Sequence, residues 1–555
     1  MKKNNLPIYF AVAVVLGILI GVFFGGNSNG LVSFSKNQSQ EQKIKRLINF
    51  IEQDYVDDVN TEDLLDGAIR QILGKLDPHS VYIPKENQQA NIENMQGNFV
   101  GIGVQFRMIK DSIAVIQTIK GGPSVSAGIK AGDRILMANE DTLYGKNFRS
   151  GIVPKYLKGK PDTEVALQIY RKSKDSLFSV NITRGKVNIK SVDLAYMLND
   201  SVGYIKLDRF ARNTYREFKS SLNNLIDDGM TDLVIDLRGN GGGFIDIATR
   251  IIDEFLEDDK LMVFTKNNKD QVENYKATEI GSFEKGGIYV LIDENSASAS
   301  EIVAGALQDN DKGTIIGRRS FGKGLVQIEM GLGDGSAVRL TTARYYTPTG
   351  RSIQKPYTKN GDTNYARDYQ NRIANGELLS KDSIKVVDSL KFKTPKGKIV
   401  YGGGGIIPDV FVAIDTASYM SNFYFNTIND FAFDYVDNNR AQLSEWTIDN
   451  FIDEFDKDDK IFKQYINTIN SDRKPFFLKE IENLRIVLED VSQLNVDSSL
   501  PKLKKEEILK KKKSLKKYLN ASIANVLFGD IGFYRIMHQD DKMLQKVLEL
   551  ESKEE

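Results

Sequence analysis

The chain has 555 residues, of which 41% are hydrophobic, with 75 basic and 75 acidic side chains. This length predicts several domains, and the balanced charge gives no reason to expect nucleic acid or an acidic substrate as a partner. Cysteine is absent and the only histidines are His79 and His538. These counts exclude a thiol nucleophile and a disulfide, and a multi-histidine metal site is not expected.

The N-terminus predicts a membrane segment. Residues 6–26 carry no charge and follow Lys2 and Lys3, and a run of this length can span the hydrocarbon core of a bilayer. A cleaved signal peptide is the alternative, although no A-x-A-like cleavage site follows. We favour an uncleaved signal anchor: a single-pass protein of the inner membrane, with a cytoplasmic N-terminus and the bulk of the chain facing the periplasm.

The residue patterns divide the chain into five regions. Helical apolar spacing is followed by a glycine-rich part with short β-like runs, and then by buried strands that alternate with helices, which indicates α/β layering. In chain order, the predicted regions are an anchor with its linker (1–35), a helical region (36–96), a mostly β domain (97–185), an α/β core (186–414, with an insertion at 358–396) and a helical C-terminal region (415–555).

Three serines alternate with alanines in NSASASEIVAGAL, residues 295–307. A predicted strand precedes this stretch and a helix follows it, so Ser298 lies at a strand-to-helix turn, where open α/β sheets place their functional sites. Helix capping through Ser298 and Glu301 is the structural alternative to a nucleophile. This stretch alone favours capping.

A run of glycines in DLRGNGGG, residues 236–243, follows another predicted buried strand. The run matches neither the Walker A nor the G-x-G-x-x-G pattern. A tight turn or a phosphate loop is one interpretation. The alternative is an oxyanion pocket formed together with the backbone N–H of Ala299.

Lys323 lies between two glycines in SFGKGLVQIEM, at the start of a predicted strand. The period of two along a strand places Lys323, Leu325 and Gln327 on one face. A surface lysine in a turn is the common explanation. A buried lysine with a lowered pKa can instead act as a general base, and Ser-Lys pairs are a known variant of the catalytic triad.

Together these stretches resemble the C-terminal processing peptidases, also called tail-specific proteases, which are serine peptidases with a Ser-Lys dyad. The similarity covers roughly residues 43–412 and includes LDPHS, a PDZ-like stretch, YYTPTGRSIQ and GGIIPDV. The resemblance implies a multidomain α/β protein. A Clp protease/crotonase-like α/β core would carry an inserted, mostly β PDZ domain, an N-terminal helical segment and a C-terminal helical extension.

The resemblance also implies roles for individual residues. The catalytic set would be Ser298 (nucleophile), Lys323 (general base), Gln327 (orienting the lysine), Asp309 (an acidic residue sometimes counted with the charge relay) and the backbone N–H donors of Ala299 and Gly243, with Gly242 as the alternative to Gly243. No acidic partner is identifiable for His79, so a Ser-His-Asp triad is not favoured. We expect His79 to form hydrogen bonds at a domain junction and His538 to be solvated.

The PDZ-like stretch predicts a peptide site. In such domains the N–H groups of one loop capture a terminal carboxylate, and the peptide adds to the sheet as a strand. The candidate residues are Gly101, Ile102, Gly103 and Val104. A glycine-bearing β-turn without a binding role is the structural alternative.

The resulting expectation is a serine endopeptidase that needs no cofactor and cleaves proteins near their C-termini. Its partners would be proteins with free, apolar C-termini and the inner membrane, through residues 6–26; an adaptor protein and a homo-oligomer are left open. The alternatives are a catalytically silent PDZ scaffold or chaperone and an acyl-CoA enzyme of the related crotonase fold. The intact Ser298, Lys323 and Gln327 disfavour the scaffold, and the PDZ-like stretch and the lysine's position disfavour the acyl-CoA enzyme.

Overall fold

The computed structural model describes residues 38–145, 148–358, 363–415, 420, 422–471 and 505–554. The predicted anchor and linker, residues 1–35, lie outside the described residues. Within the described ranges, every helix is too short or too polar to serve as a transmembrane span.

Two amphipathic helices account for the described part of the first compact unit, which ends at Leu73. They are α1 (Gln38–Asp54) and α2 (Thr61–Gly74). The Asn60 side chain starts α2, because its Oδ1 accepts the backbone N–H groups of Glu62 at 3.0 Å and Asp63 at 3.4 Å. Both helices lie within the region for which helical spacing was predicted.

The second unit, from Gly74 onward, begins with three short elements. They are β1 (Val81–Ile83), α3 (Lys85–Gln96) and β2 (Asn98–Gly101). Helix α3 ends at Gly97, whose φ of 71° lies in the left-handed region that favours glycine. The turn lets the chain reverse into β2.

The glycine-rich region folds into an antiparallel sheet of six strands in the order β3–β4–β5–β7–β8, with β6 beside β5. Its elements are β3 (Val104–Ile109), β4 (Ser112–Thr118), α4 (Pro123–Ser126), β5 (Arg134–Ala138), β6 (Asp141–Thr142), α5 (Val153–Leu157), β7 (Glu164–Arg171) and β8 (Ser176–Thr183). Strand β3 lies at the sheet's edge. Alternate residues of β7, Val165, Leu167 and Ile169, point into the core.

A two-stranded ribbon joins this sheet to the rest of the chain. It consists of β2 and β9 (Gly185–Asn188), which pair antiparallel. The stretch FVGIGVQF, predicted as one β run, is therefore divided between two sheets. Gly103 at the break has a φ of 78°, and a Cβ there would lie 3.2 Å from the Cα of Gly122.

The predicted α/β core is present as two sheets with three helices. Its elements are β10 (Val192–Met197), β11 (Val202–Leu207), α6 (Thr214–Asp227), β12 (Asp232–Asp236), α7 (Ile245–Ile252), β13 (Leu261–Asn267), β14 (Val272–Lys276), β15 (Gly287–Ile292), α8 (Ala299–Asp309), β16 (Gly313–Gly317), β17 (Leu325–Gly331) and β18 (Ala337–Tyr346). Strands β13 and β14 were not predicted from the sequence.

The main sheet has the order β10–β11–β12–β15–β16–β21, where β21 is Val410–Phe411. All neighbours from β11 onward are parallel. Ile288, Val290 and Ile292 of β15 pack towards the helices α6, α7 and α8, whereas Tyr289 and Leu291 face the opposite side. Burial of both faces explains why these strands read as continuous apolar runs.

The second core sheet is antiparallel, with the order β1–β18–β13–β14 and with β17 beside β18. The predicted insertion contributes small elements, α9 (Thr363–Ala366), α10 (Asp368–Ala374) and β19 (Lys391–Lys393), the last of which pairs with β20 (Ile399–Tyr401). The described residues that follow form six helices: α11 (Asn422–Leu443), α12 (Ile448–Glu454), α13 (Lys460–Ser471), α14 (Lys505–Phe528), α15 (Asp530–His538) and α16 (Lys542–Glu554).

Candidate active site

Ser298 occupies the turn between β15 and α8 in a strained backbone conformation. Its φ of 57° and ψ of −113° are unfavourable for a residue with a side chain and cost about 1–3 kcal/mol. The flanking serines stabilise the turn: Ser296 Oγ donates to Leu237 O at 2.8 Å and Ser300 Oγ to Asn240 O at 2.9 Å. Only the middle serine of the three lines the adjoining cavity.

The glycine run lies directly against this turn, because β12 and β15 are parallel neighbours and their carboxyl ends meet at one edge. A Cβ on Gly242 would lie 2.6 Å from Ala297 O and 2.8 Å from Ala299 N. No side chain fits there. Gly243 is equally restricted, since its Cβ would lie 2.2 Å from Phe210 O.

The hydrogen bonds of this loop distinguish Gly243 from Gly242 as the candidate oxyanion donor. The N–H of Gly242 already donates to Asn240 Oδ1 at 2.8 Å. Within the described part of the chain, the N–H groups of Gly243 and Ala299 have no hydrogen-bond partner. The geometry therefore favours Gly243 over Gly242 as the partner of Ala299.

Lys323 and Gln327 also line this cavity and contact each other. Lys323 Nζ donates to Gln327 Oε1 at 2.8 Å, and Gln327 Nε2 donates to His79 O at 2.5 Å. Burial is the main cause that holds the pKa of Lys323 below its usual value, and the positive charge of Arg339 is the second. The carboxylate of Glu301 opposes this shift.

The LDPHS stretch supplies the carbonyl that orients Gln327. Asp77 Oδ1 accepts the N–H groups of His79 and Ser80, both at 2.8 Å, and the Thr341 hydroxyl of β18 at 3.2 Å. The turn is thereby fixed to the sheet that carries Gln327. His79, for which hydrogen bonds at a domain junction were predicted, takes part through its backbone carbonyl.

Glu301 connects the segment of Ser298 with the segment of Lys323. The sequence pattern indicated only a helix-capping role for this residue. Its side chain is fully buried. Oε2 accepts the N–H groups of Ser298 at 2.9 Å and Lys323 at 2.8 Å. Oε1 accepts the Ser320 hydroxyl at 2.5 Å and the N–H of Gly322 at 2.7 Å. The S-x-x-E spacing was the available signal, but it indicates only the first of these contacts.

Ser298, Gly243, Lys323 and Gln327 line one cavity of about 610 Å³. Its walls are mostly apolar, formed by Ile92, Met95, Phe244, Ile245, Ile302, Leu325, Val326 and Tyr345. Arg339 and Glu329 lie at the same cavity and form an ion pair at 3.1 Å. A carbonyl compound bound there would meet a hydroxyl, a lysine amine and two free N–H groups.

Asp309 does not join this group. It is the last residue of α8, whose eleven residues place it about 16 Å from the end of the helix at Ser298, at 1.5 Å per residue. Its Oδ1 accepts from the buried Arg351 guanidinium at 2.6 Å, and its Oδ2 accepts the Thr349 hydroxyl at 2.6 Å. The contacts of Asp309 are structural, and they do not support the predicted part in the charge relay.

The two histidines differ in how well they match expectation. His79 Nε2 is 2.5 Å from the Tyr365 hydroxyl, and burial lowers the pKa of His79 to about 4. The expectation that His538 is solvated is wrong: its Nδ1 is 2.7 Å from the Tyr196 hydroxyl, and burial lowers its pKa to about 4. In the described ranges, no group of three or more His, Cys, Asp or Glu residues is arranged to hold a metal ion.

The candidate peptide-binding residues lie between β2 and β3, apart from this cavity. The carbonyls of Ile102 and Gly103 point into their own domain, accepting Ser124 N at 2.8 Å and Ile119 N at 2.9 Å. The N–H group of Gly103 has no partner among the residues that the structure describes, whereas the bridge between Gly101 and Lys158 pairs the N–H of Ile102 with the carbonyl of Leu157. The free edge of β3 continues from this loop, which is the arrangement that strand addition requires.

Family models match four parts of the chain. They are peptidase family S41 over residues 201–361, a PDZ domain over residues 100–182, the N-terminal domain of the activating protease CtpB over residues 27–87, and a family of unknown function (DUF8443) over residues 419–529. The S41 match contains Ser298 and Lys323.

Two curated relatives are similar over most of their length. A carboxy-terminal-processing protease of Bartonella bacilliformis is 32% identical over 350 residues, which cover 61% of this chain and 80% of that protein. A probable CtpA-like serine protease of Staphylococcus aureus is 33% identical over 347 residues, covering 62% and 68%. Among solved structures, the photosystem II D1 C-terminal processing protease matches at 24% identity with a TM-score of 0.35, over 67% of this chain and 86% of that one.

The Glu301→Gln variant tests the bridging carboxylate. A glutamine amide retains one acceptor atom, so two of the four donors lose their partner, at a local cost of about 1–3 kcal/mol. We expect roughly 10- to 100-fold faster amide hydrogen exchange in peptides that contain Ser298, Gly322 or Lys323. The exposed Glu279→Gln is the matched control. Unchanged protection in Glu301→Gln would show that these segments are held by other contacts.

Proposed function

The chain belongs to peptidase family S41 and, within it, to the carboxy-terminal-processing serine proteases that carry a PDZ domain, and we propose that it cleaves proteins near their C-termini with Ser298 as nucleophile and Lys323 as general base. One observation carries this assignment. The N–H groups of Ser298 and Lys323 bind the same carboxylate oxygen of Glu301, at 2.9 and 2.8 Å, and both residues line one cavity.

The proposed reaction begins with neutral Lys323. Its Nζ takes the proton of Ser298 Oγ while Oγ forms a bond to the substrate's peptide carbonyl carbon, and the N–H groups of Gly243 and Ala299 stabilise the oxyanion. The C–N bond then breaks, and the protonated Lys323 gives its proton to the leaving amine. A water molecule, activated by Lys323, hydrolyses the acyl-enzyme and restores Ser298.

Lysine suits the role of base here for two reasons. Its ammonium is desolvated, which lowers the pKa of Lys323 and increases the neutral fraction. Its hydrogen bond to Gln327 Oε1 at 2.8 Å limits the directions that the amine can take. His79 is a poorer candidate, because its Nε2 is engaged with the Tyr365 hydroxyl at 2.5 Å.

The PDZ part would select the substrate. We assign capture of a terminal carboxylate to the loop of Gly101, Ile102, Gly103 and Val104, because the N–H group of Gly103 is unpaired among the described residues and β3 is an edge strand. The apolar walls of the cavity favour apolar segments at the cleavage site. The substrates would be proteins with free, apolar C-termini.

Residues 6–26 would anchor the protein in the inner membrane as a single pass, with the catalytic part facing the periplasm. This proposal rests on the uncharged run and on Lys2 and Lys3 before it. Assistance by an adaptor protein and assembly into a homo-oligomer are compatible with it. Membrane fractionation of the full chain, with and without residues 6–26, tests the anchor.

Removal of the nucleophile or the base should abolish turnover. We expect no cleavage of a denatured protein substrate by Ser298→Ala, and a loss of roughly 10²- to 10⁴-fold in kcat for Lys323→Met. The measurement is the rate of new C-termini, found by mass spectrometry. Ser220→Ala, which alters an exposed serine on α6, is the control and should remain active. Turnover by purified Ser298→Ala would refute the assignment.

The pH profile tests Lys323 as the base. A protonated lysine cannot accept the serine proton, so kcat/KM should rise with pH through the lowered pKa of Lys323. Arg339→Gln removes a positive charge that contributes to lowering this pKa, so the rising limb should move to higher pH. Arg344→Gln, an exposed change on the same strand, should leave the limb in place. A shift to lower pH in Arg339→Gln would contradict the scheme.

Carboxylate capture is tested with paired peptides that end in a free acid or an amide. Loss of charge-assisted hydrogen bonds should lower kcat/KM of the amide by about 10-fold or more. Gly103→Val should remove the difference, because a Cβ at this position would lie 3.2 Å from Gly122 Cα and φ is 78°. Equal rates for both peptides with the parent enzyme would exclude carboxylate capture.

A further inference from the structure

The C-terminal helices contact two different parts of the chain. Helix α11 lies against the PDZ sheet, and α15 and α16 lie against the main sheet of the peptidase core. None of these helices lines the cavity that holds Ser298. The proposed chemistry therefore leaves this region without a role.

Phe433 is the apolar anchor of α11 on the PDZ sheet. Its side chain is 1% exposed and packs against Ile109 of β3 and Ala114 of β4. The guanidinium of Arg134 on β5 lies over the ring, 4.7 Å from its centre. A fully buried aromatic side chain between two structural parts is typical of the residues that dominate an interface.

Asp437 follows one turn later and therefore lies on the same face of α11. Its side chain is 4% exposed and lies 3.4 Å from Arg134 Nη2 and 3.6 Å from Lys172 Nζ, both on the PDZ side. The nearby pair of Asp434 with Lys110, at 2.7 Å, involves a lysine that is 78% exposed and contributes little. Lys172 Nζ also donates to Asn438 Oδ1 at 2.5 Å, in an exposed contact, so among these contacts of α11 Phe433 and Asp437 are the buried ones.

The other end of the region is fixed to the peptidase core. Asp541 Oδ2 accepts from Arg238 Nη1 at 2.7 Å, and Glu551 Oε1 accepts the Ser201 hydroxyl at 2.5 Å. The apolar residues of α16 on the main sheet are Met543, Leu544 and Val547, in one cluster with Tyr204, Leu291 and Ile316. Both charged and apolar contacts hold this end.

The remaining connection between the PDZ sheet and the core is narrow. The chain enters through β2 and leaves through β9, which form a ribbon of two strands. Lys158, which bridges to Gly101 in this ribbon, pairs with Glu93 of α3 at 2.6 Å. A two-stranded ribbon is weak by itself, and such short connections act as hinges between packed bodies.

We propose that the C-terminal helices are a brace that holds the PDZ domain at a fixed orientation to the cavity of Ser298, with Phe433 and Asp437 as positioning residues for tail-bearing substrates. A substrate whose C-terminal tail is bound along β3 then enters the cavity of Ser298 from one direction. Loss of the brace leaves the ribbon as the hinge, and the bound substrate's effective concentration at Ser298 falls. The catalytic consequence rests on the proposed function, whereas the fixed orientation does not.

The orientation is tested by spin-label distances in the full chain. The absence of cysteine allows one label on the PDZ sheet, at Glu140→Cys, and one on the core, at Lys269→Cys, both exposed positions. We expect a single narrow distance distribution in this labelled parent. Phe433→Ala and, independently, Asp437→Asn should broaden it, with circular dichroism confirming that each variant is folded.

Kinetics give the second measurement. With a protein substrate that has a free tail, Asp437→Asn and Phe433→Ala should raise KM about 10-fold, and kcat/KM for a short peptide without a PDZ-binding tail should not change. Glu445→Gln, an exposed acidic residue that follows α11, is the control for both measurements. Faster cleavage of the tailed substrate by the variants would overturn a productive positioning role.

The two measurements separate the brace from the proposed chemistry. A broad distribution in the labelled parent, or identical narrow distributions in the parent and both variants, would overturn the brace whatever the enzyme cleaves. If the parent cleaves nothing, the proposed function fails, and the distance distributions still decide whether α11 fixes the PDZ domain.

Discussion

The buried carboxylate of Glu301 is the contact on which the candidate site depends. Placing a charged group in the interior is unfavourable unless donors surround it, and burial indeed raises the pKa of Glu301. Four donors and the N-terminus of α8 offset that cost. Two of the donors belong to Ser298 and Lys323, so the same interaction that satisfies the glutamate brings the proposed nucleophile and the proposed base to one cavity.

Around this carboxylate, each neighbouring segment is restrained by its own contact. Asn240 connects the glycine run to the turn of Ser298, since its carbonyl accepts from Ala297 N and from the Ser300 hydroxyl. Gln327 connects the lysine to the LDPHS turn. These restraints explain how Ser298 can keep its unfavourable backbone conformation. They also leave the N–H groups of Gly243 and Ala299 free to bind a ligand.

The orientation of the PDZ domain is also restrained by contacts between segments that are distant in sequence. The PDZ sheet is connected to the core by one ribbon, and the C-terminal helices supply a second attachment through Phe433 and Asp437. Asp541 of this region contacts Arg238, the residue before the glycine run. A PDZ domain that is fixed at two points keeps one orientation relative to the core, which a single hinge does not ensure.

Sequence alone determined the features whose physics is local. The strand–turn–helix pattern around Ser298, the glycines that need positive φ, and the alternation of apolar residues all depend on near neighbours, and the family resemblance added roles for Ser298, Lys323 and Gln327. Tertiary structure decided what depends on segments far apart in sequence. Glu301 became the centre of the site, Asp309 was found paired with Arg351, His538 was found half-buried beside Tyr196, and α11 was found against the PDZ sheet. Hydrogen bonds and ion pairs form between groups that are close in space, and the local pattern of residues does not determine which distant segments become close.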